Sequence, residues 1–290
     1  MAKQYPYGEG VVKWVDTTWL EAHATDEDLM ILDVQPNVHD YIKAHIPGAV
    51  YMNEGLLRVP LKGLPAQYAP VEAIEANIRR VGLEPDRPVV VYTGKGLFKG
   101  WGDGLEQTMM AYTLARFGHK NVYVLDGGLE AWMAAEGPIS QTFPDIQSSR
   151  FGVDVHPEYF VEYETFRTIK DQQDAILLDA RPADVYQGQG PWIKGGHIPG
   201  AINVPWKSFM DDDNPRLLKS DEEIQAILDE HAITPEKTVI CSCGTGREAT
   251  NEFILFKWYL GYPKVKIYEG SFTEWTSYTE NPTVIGPDPV

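Results

Sequence analysis

Cysteine is nearly absent: Cys241 and Cys243 are the only two in 290 residues. That excludes a disulfide framework and any zinc or iron–sulfur site built from several thiolates, so no metal is expected. Cations are scarce as well. Lys and Arg number 25 against 42 Asp and Glu, for a net charge of −17. Phosphate contacts need Lys and Arg, so the composition argues against nucleic acid or an anionic membrane surface as a partner. No run approaches the ~20 apolar residues that cross a bilayer, and Met1 to Gly10 lacks the apolar segment of a secretory signal. Hydrophobic residues still make up 43% and charged residues 23%, which excludes wholesale disorder. At about 150 residues per domain the length implies two domains. The expectation is a soluble, cytoplasmic enzyme or binding protein.

The chain repeats itself. His-Ile-Pro-Gly-Ala occurs at 45–49 and again at 197–201. Upstream, Val15-Asp16 matches Val161-Glu162, and Ile31-Leu32-Asp33 matches Leu177-Leu178-Asp179. Downstream, Val89 to Tyr92 matches Val239 to Ser242, and Asp126-Gly127-Gly128 with Trp132 matches Glu269-Gly270-Ser271 with Trp275. The matches keep their order while the offset drifts between 143 and 152 residues, as loop insertions produce. One insertion falls in the second copy around Gln187 to Lys194, another in the first copy around Gly96 to Gly104. The pattern implies duplication of one structural unit.

Short β-branched runs alternate with helix-length stretches. Strands are expected at Met30–Leu32, Pro88–Tyr92 and Val122–Leu125, and at Ala175–Leu178, Lys237–Ser242 and Val265–Tyr268. Helices are expected at Leu105–Phe117, stopped by Gly118, and at Ala249–Leu260, stopped by Gly261. Such alternation implies an α/β fold with a parallel, helix-covered sheet in each copy. Residues 139–155, rich in Pro, Ser and Gly, read as a linker between domains at 1–138 and 156–290.

The chemistry concentrates at Cys243. A strand ends there, and Gly244-Thr245-Gly246-Arg247-Glu248 leads into a helix. Glycines let successive N–H groups turn inward as an anion nest, and the helix adds unpaired N–H groups and the positive end of its dipole. A thiol at the mouth of such a loop is expected to ionise below the usual ~8.5. Arg247 would help, and Glu248 would oppose unless the two pair. Cys241, inside the strand, reads as a small buried apolar side chain. Strand alternation puts it on the side of Cys243, which leaves a redox partnership open. Cysteine phosphatases share the strand–loop–helix arrangement but need an arginine six positions after the cysteine to brace phosphate; here that position is Ala249, and the loop is one residue too short.

These motifs, spread from about Val11 to Trp275, resemble a tandem rhodanese of the thiosulfate and 3-mercaptopyruvate sulfurtransferase family. The resemblance implies two rhodanese-like domains, each a mostly parallel sheet covered by helices on both faces. It also implies that Cys243 forms a persulfide inside a six-residue loop completed by Gly244, Thr245, Gly246, Arg247 and Glu248. Thr93 stands at the matching position of the first copy, and a threonine cannot carry persulfide sulfur. The first domain is therefore expected to be catalytically silent and to wall one side of the active-site cleft. No cofactor is implied. The implied partners are a small anionic donor such as thiosulfate or 3-mercaptopyruvate, and cyanide, a thiol or a protein as acceptor. Such a family member usually carries two arginines after the second-domain aspartate. Here Arg181 supplies one, and the other position holds Val185. Arg181 is thus a candidate donor ligand or a structural ion pair, and Lys194 is a weaker candidate ligand. Asp179 is expected to brace the Cys243 loop, while His45 and His197 fix turns, Trp132 and Trp275 pack, and Lys95, Lys99 and Asp211–Asp213 are solvated. The alternatives to an enzyme are a persulfide carrier serving a protein and a non-catalytic regulator.

Overall fold

The computed structural model describes residues 4–290; Met1 to Lys3, where the expected first domain begins, lie outside them. Contacts divide the chain into two units. Of the described residues, the first holds 4–59, 68–156 and 211–218, and the second holds 60–67, 157–210 and 219–290.

The first unit runs β1 (Val12–Val15), α1 (Thr17–His23), β2 (Met30–Asp33), α2 (Val38–Lys43) and β3 (Val50–Tyr51); the chain then forms a two-stranded element of β4 (Arg58–Leu61) and β5 (Leu64–Tyr68), whose residues 60–67 count with the second unit, and the first unit resumes with α3 (Val71–Arg80), β6 (Val89–Tyr92), α4 (Leu105–Arg116), β7 (Val122–Leu125) and α5 (Gly128–Ala134). Its five-stranded sheet has the order β1-β7-β6-β2-β3, every ladder parallel. Parallel strands are covered on both faces, which is why β6 reads as the unbroken run Val-Val-Val-Tyr with all four residues buried. The core gathers Ile31, Val90, Tyr92, Leu125, Leu129 and Trp132. Residues 139–155 pack along this unit: Ser140 bridges His45, and Phe151 is fully buried with its carbonyl held by Arg79.

The second unit repeats the scheme with α6 (Tyr163–Ile169), β8 (Ala175–Asp179), β9 (Ala201–Asn203), α7 (Asp221–Glu230), β10 (Thr238–Ser242), α8 (Glu248–Ile254), β11 (Val265–Ile267) and α9 (Ser271–Ser277). The order is β11-β10-β8-β9, again all parallel. The fifth strand shrinks to one parallel bridge, Phe160 to Ile267. The expected helix 249–260 begins one residue earlier and ends its α-helical part at Ile254, continuing as a π-turn over Leu255–Tyr259. A capping box between Ser220 and Glu223 starts α7.

The registers place equivalent residues alike. Asp33 pairs with Tyr92 at the end of β2 and β6, and Asp179 pairs with Ser242 at the end of β8 and β10. The residues that follow β6 and β10, Thr93 and Cys243, therefore emerge at the same C-terminal sheet edge, where open α/β sheets hold ligands.

Candidate active site

Cys243 leaves β10 at the start of a tight loop. Gly246 adopts φ +82°, and an added Cβ would stand 2.5 Å from the Glu269 carbonyl oxygen. Glycine is required there by both conformation and space. The turn aims the Gly246 N–H at Cys243 Sγ, 3.1 Å away. The segment after β11 closes the other side. Ser271 Oγ accepts from the Cys243 N–H at 3.1 Å, donates to the Tyr268 carbonyl at 2.8 Å, and lies 3.9 Å from Sγ. Phe272 N–H and Thr273 N–H donate to the carbonyls of Cys243 and Gly244. Ser271 holds φ +52°, a left-handed conformation that costs an L-residue roughly 1–2 kcal/mol. Its counterpart in the repeat is Gly128, where a Cβ would stand 2.5 Å from the Thr93 carbonyl oxygen.

The thiol is not at an open mouth. Cys243 is fully buried. Burial pushes its ionisation well above the ordinary range, the charge and hydrogen bond of Glu248 push it further, and the amides of Ala249 and Thr245 pull the other way. The expected lowering is overturned, because the inward amides do not offset the loss of water and the neighbouring carboxylate. Trp192, inside the second-copy insertion, packs on the loop at Gly244. Its six-membered ring lies 2.8 Å from where a Gly244 Cβ would stand, and its Nε1 donates to Thr273 Oγ1 at 2.8 Å. Cys241 is also fully buried, with burial raising its thiol. Both cysteines are free thiols.

Arg181 is 1% exposed and clamps Asp179: Nε lies 2.9 and 3.1 Å from the two carboxylate oxygens, and Nη2 is 2.6 Å from Oδ2. Nη2 also reaches the Gly196 carbonyl at 2.9 Å, and the guanidinium lies between the rings of Phe272 (4.2 Å) and Trp192 (5.1 Å). The Asp179 side chain thus braces Arg181, while its strand meets the Cys243 strand through the Ala180 N–H to Ser242 carbonyl bond. Gln35 is the counterpart of Arg181 and holds Asp33 in the same way, through its own N–H at 2.9 Å and its side-chain amide at 2.9 Å. Lys194 is not brought to the loop. Its ammonium binds the carbonyls of Thr279 and Asn281. His197 stacks on Tyr186 at 3.6 Å with Nδ1 at the Tyr186 carbonyl, and His45 sits between the carbonyls of Tyr41 and Thr142. Trp132 and Trp275 are core residues.

The first copy's loop gives its amides to carboxylates. Glu106, in the first turn of α4, accepts from Gly104 N–H at 3.1 Å and from Thr93 Oγ1 at 3.2 Å. Asp40 accepts from Phe98 and Lys99 N–H, and Glu130 from Lys95 N–H. Lys95 and Lys99 are exposed. Asp211 caps the turn at Asp213 and Asn214, and Asp212 and Asp213 are exposed. Among the described residues no group of His, Cys, Asp and Glu could hold a metal, and no helix is long and apolar enough to cross a membrane.

The rhodanese-like domain family matches residues 16–135 and 162–278, one stretch in each copy. The chain belongs to the rhodanese family. This tandem rhodanese is 35% identical to a Synechococcus elongatus protein assigned to the thiosulfate sulfurtransferases, over 97% of this chain and 88% of that one. It is 28% identical to the sulfur carrier protein TtuD of Thermus thermophilus, over 94% of this chain and 97% of that one. Among solved structures, the 3-mercaptopyruvate sulfotransferase SseA of Escherichia coli superposes with a TM-score of 0.78 at 28% identity, covering 89% of the rhodanese and 98% of SseA. The protein is a sulfurtransferase. Two residues of this site carry no signal of their own in the sequence: Ser271 stands in a matched motif that reads as a repeat marker, and Trp192 lies within an insertion. The same holds for Glu106 in the first copy's loop.

Proposed function

We propose that Cys243 is the nucleophile and that the protein moves a sulfane sulfur from a small anionic donor, thiosulfate in the first instance, to cyanide or a thiol. In the first half-reaction Cys243 sulfur attacks the donor's outer sulfur, a new S–S bond forms, and the donor's own S–S bond breaks with its electron pair leaving on sulfite. The enzyme then carries Cys243–S–S⁻, and the acceptor removes the outer sulfur and restores the cysteine. This is covalent catalysis with ping-pong kinetics. The observation that carries the reading is the Gly246 N–H directed at Sγ in a loop that glycine alone can form. Amides fixed in that way favour negative charge on sulfur without reorganising.

Gly244, Thr245 and Gly246 form the persulfide cradle in this reading, with Arg247 and Glu248 at its helix side. Arg181 braces the site through Asp179. The likeness to SseA supports 3-mercaptopyruvate as an alternative donor, and the likeness to TtuD supports delivery of the sulfur to a protein.

The test is intact mass after brief exposure to thiosulfate or 3-mercaptopyruvate. A gain of one sulfur atom mapped to Cys243, discharged by cyanide and lost in Cys243→Ser, is expected. Sulfur transfer that survives in a folded Cys243→Ser protein refutes the reading and moves the nucleophile to Cys241. Sulfur that loads on Cys243 but turns over only with a protein acceptor selects the carrier.

A further inference from the structure

We infer that Trp192 is a gate on the Cys243 loop: its side chain rests on the loop, and a donor loads sulfur only after it swings away. The inference rests on the reading of Cys243 as nucleophile and deepens it.

Cys243 is fully buried, yet an S–S bond can form only when the donor's outer sulfur reaches Sγ. A neighbour of the loop must therefore move. Most neighbours are fixed by main-chain bonds or by a buried ion pair. β10 is paired with β8 and β11. The N–H groups of Phe272 and Thr273 hold the carbonyls of Cys243 and Gly244 at 3.0 Å, and Ser271 Oγ holds the Cys243 N–H. α8 continues directly from the loop. Arg181 is clamped by Asp179 and the Gly196 carbonyl.

The segment that carries Trp192 is attached differently. Its ends are pinned. Gln187 carbonyl accepts from the Gly286 N–H, His197 and Val284 exchange both backbone bonds, and the Lys194 ammonium binds two carbonyls. Its neck is made of glycine: Gly188 has φ +131°, Gly196 has φ +94°, and a Cβ on Gly195 would stand 2.9 Å from the Gly188 carbonyl oxygen. Beyond the neck, among the described residues, no hydrogen bond reaches the backbone of 191–193, and Ile193 is 92% exposed.

One side chain holds this tip down. Trp192 Nε1 donates to Thr273 Oγ1, and the same hydroxyl donates to the Gly244 carbonyl, both at 2.8 Å. The ring packs on Gly244, the residue after Cys243, and meets the Arg181 guanidinium and the Phe272 ring. Arg181 Nη1 is buried with no hydrogen-bond partner, a cost that water relieves when the ring lifts. Opening thus breaks one hydrogen bond, and it leaves the sheet and the Gly246 N–H on the sulfur in place. Short loops hung from a few hinge residues open in this way at low cost.

The test is the second-order rate at Cys243 of the full-length protein, at one neutral pH, with three reagents of unlike chemistry. Thiosulfate and 3-mercaptopyruvate are read as added sulfur by rapid quench and mapped mass, and iodoacetamide as the alkylated residue. Two variants perturb the gate separately. Trp192→Phe deletes the indole N–H and keeps a ring. Gly190→Ala keeps the indole and Thr273, fits the backbone at φ −83°, and sets a Cβ 2.6 Å from the Trp192 ring, which must shift. Both should react at least about threefold faster than wild type, as expected for losing one hydrogen bond. The factor should agree within about twofold for all three reagents, because a larger open population multiplies every rate alike. An unchanged or lower rate in either variant overturns the gate. Acceleration with one reagent alone overturns it too, since that marks a change in the thiol or in donor contacts, and so does labelling of Cys241, which marks loss of the fold around β10. Faster alkylation in both variants with no sulfur on Cys243 from either donor, wild type included, overturns the inference through the nucleophile reading and is told apart from a failed gate by the alkylation itself.

Discussion

Replacing Arg181 with Met separates a structural brace from a donor ligand. Methionine keeps an unbranched apolar stem between Phe272 and Trp192 and deletes the guanidinium. Three side-chain contacts to Asp179 at 2.6–3.1 Å are lost, with the 2.9 Å bond to the Gly196 carbonyl. Asp179, 2% exposed, keeps the Arg181 backbone N–H at 3.1 Å. Removing one partner of a buried pair costs about 3–5 kcal/mol, because the remaining charge has no compensation. Against the 5–15 kcal/mol that holds a domain folded, this is a large fraction. At roughly 3–5 °C per kcal/mol for a unit of this size, the second unit's melting point should fall by about 10–20 °C. Differential scanning calorimetry reads this directly. Asp179→Asn in the Arg181→Met background removes the stranded charge and should restore at least about half of the loss. A single variant that melts within about 3 °C of wild type, while its KM for thiosulfate rises about tenfold, refutes the brace and makes Arg181 a donor ligand.

Other outcomes follow from the same geometry. Gly246→Ala forces an L-residue to φ +82° and sets a Cβ 2.5 Å from the Glu269 carbonyl oxygen; sulfur transfer should drop more than about tenfold with a destabilisation of at least ~1 kcal/mol, and near-wild-type turnover would contradict the cradle. Thr93→Cys should take up no sulfur from thiosulfate by intact mass, since Glu106 occupies the Gly104 amide beside it; a persulfide on the introduced thiol would show that only the missing sulfur silences the first copy. His119 is 1% exposed, and burial lowers its pKa from 6.5 to about 4. The unfolded chain therefore binds the proton more readily between those values. Stability from this group is fully present above pH 6.5 and is lost as the pH falls toward 4, by about 3 kcal/mol. Denaturant titrations of His119→Gln should lack that component, and an unchanged pH slope would contradict it.

Much of the fold could be read from residue order. Parallel strands covered on both faces need continuous apolar runs, so Val89–Tyr92 and Val239–Ser242 identify themselves, and the drifting offsets reveal the duplication. The position of Cys243 after a strand and before two glycines was equally local, because chain direction alone puts it at the sheet's C-terminal edge. The ionisation of Cys243 was not local. Burial joins Trp192 and the 269–273 segment to the loop that carries the sulfur, and nearest neighbours in sequence report neither that packing nor its dielectric cost. Lys194 shows the same limit: its place beside the repeated motif suggested an anion ligand, whereas folding delivers it to two carbonyls 85 and 87 residues away.

By itself, then, the order of residues determined a duplicated α/β rhodanese with one thiol-bearing loop, since strand hydrophobicity, turn glycines and motif spacing are written along the chain. Only the tertiary structure decided the state of that thiol, the pairing of Arg181 with Asp179 and the filling of the first copy's loop by Glu106. Each depends on which distant carboxylates, rings and amides share a water-free space, and electrostatics in such a space is set by three-dimensional proximity.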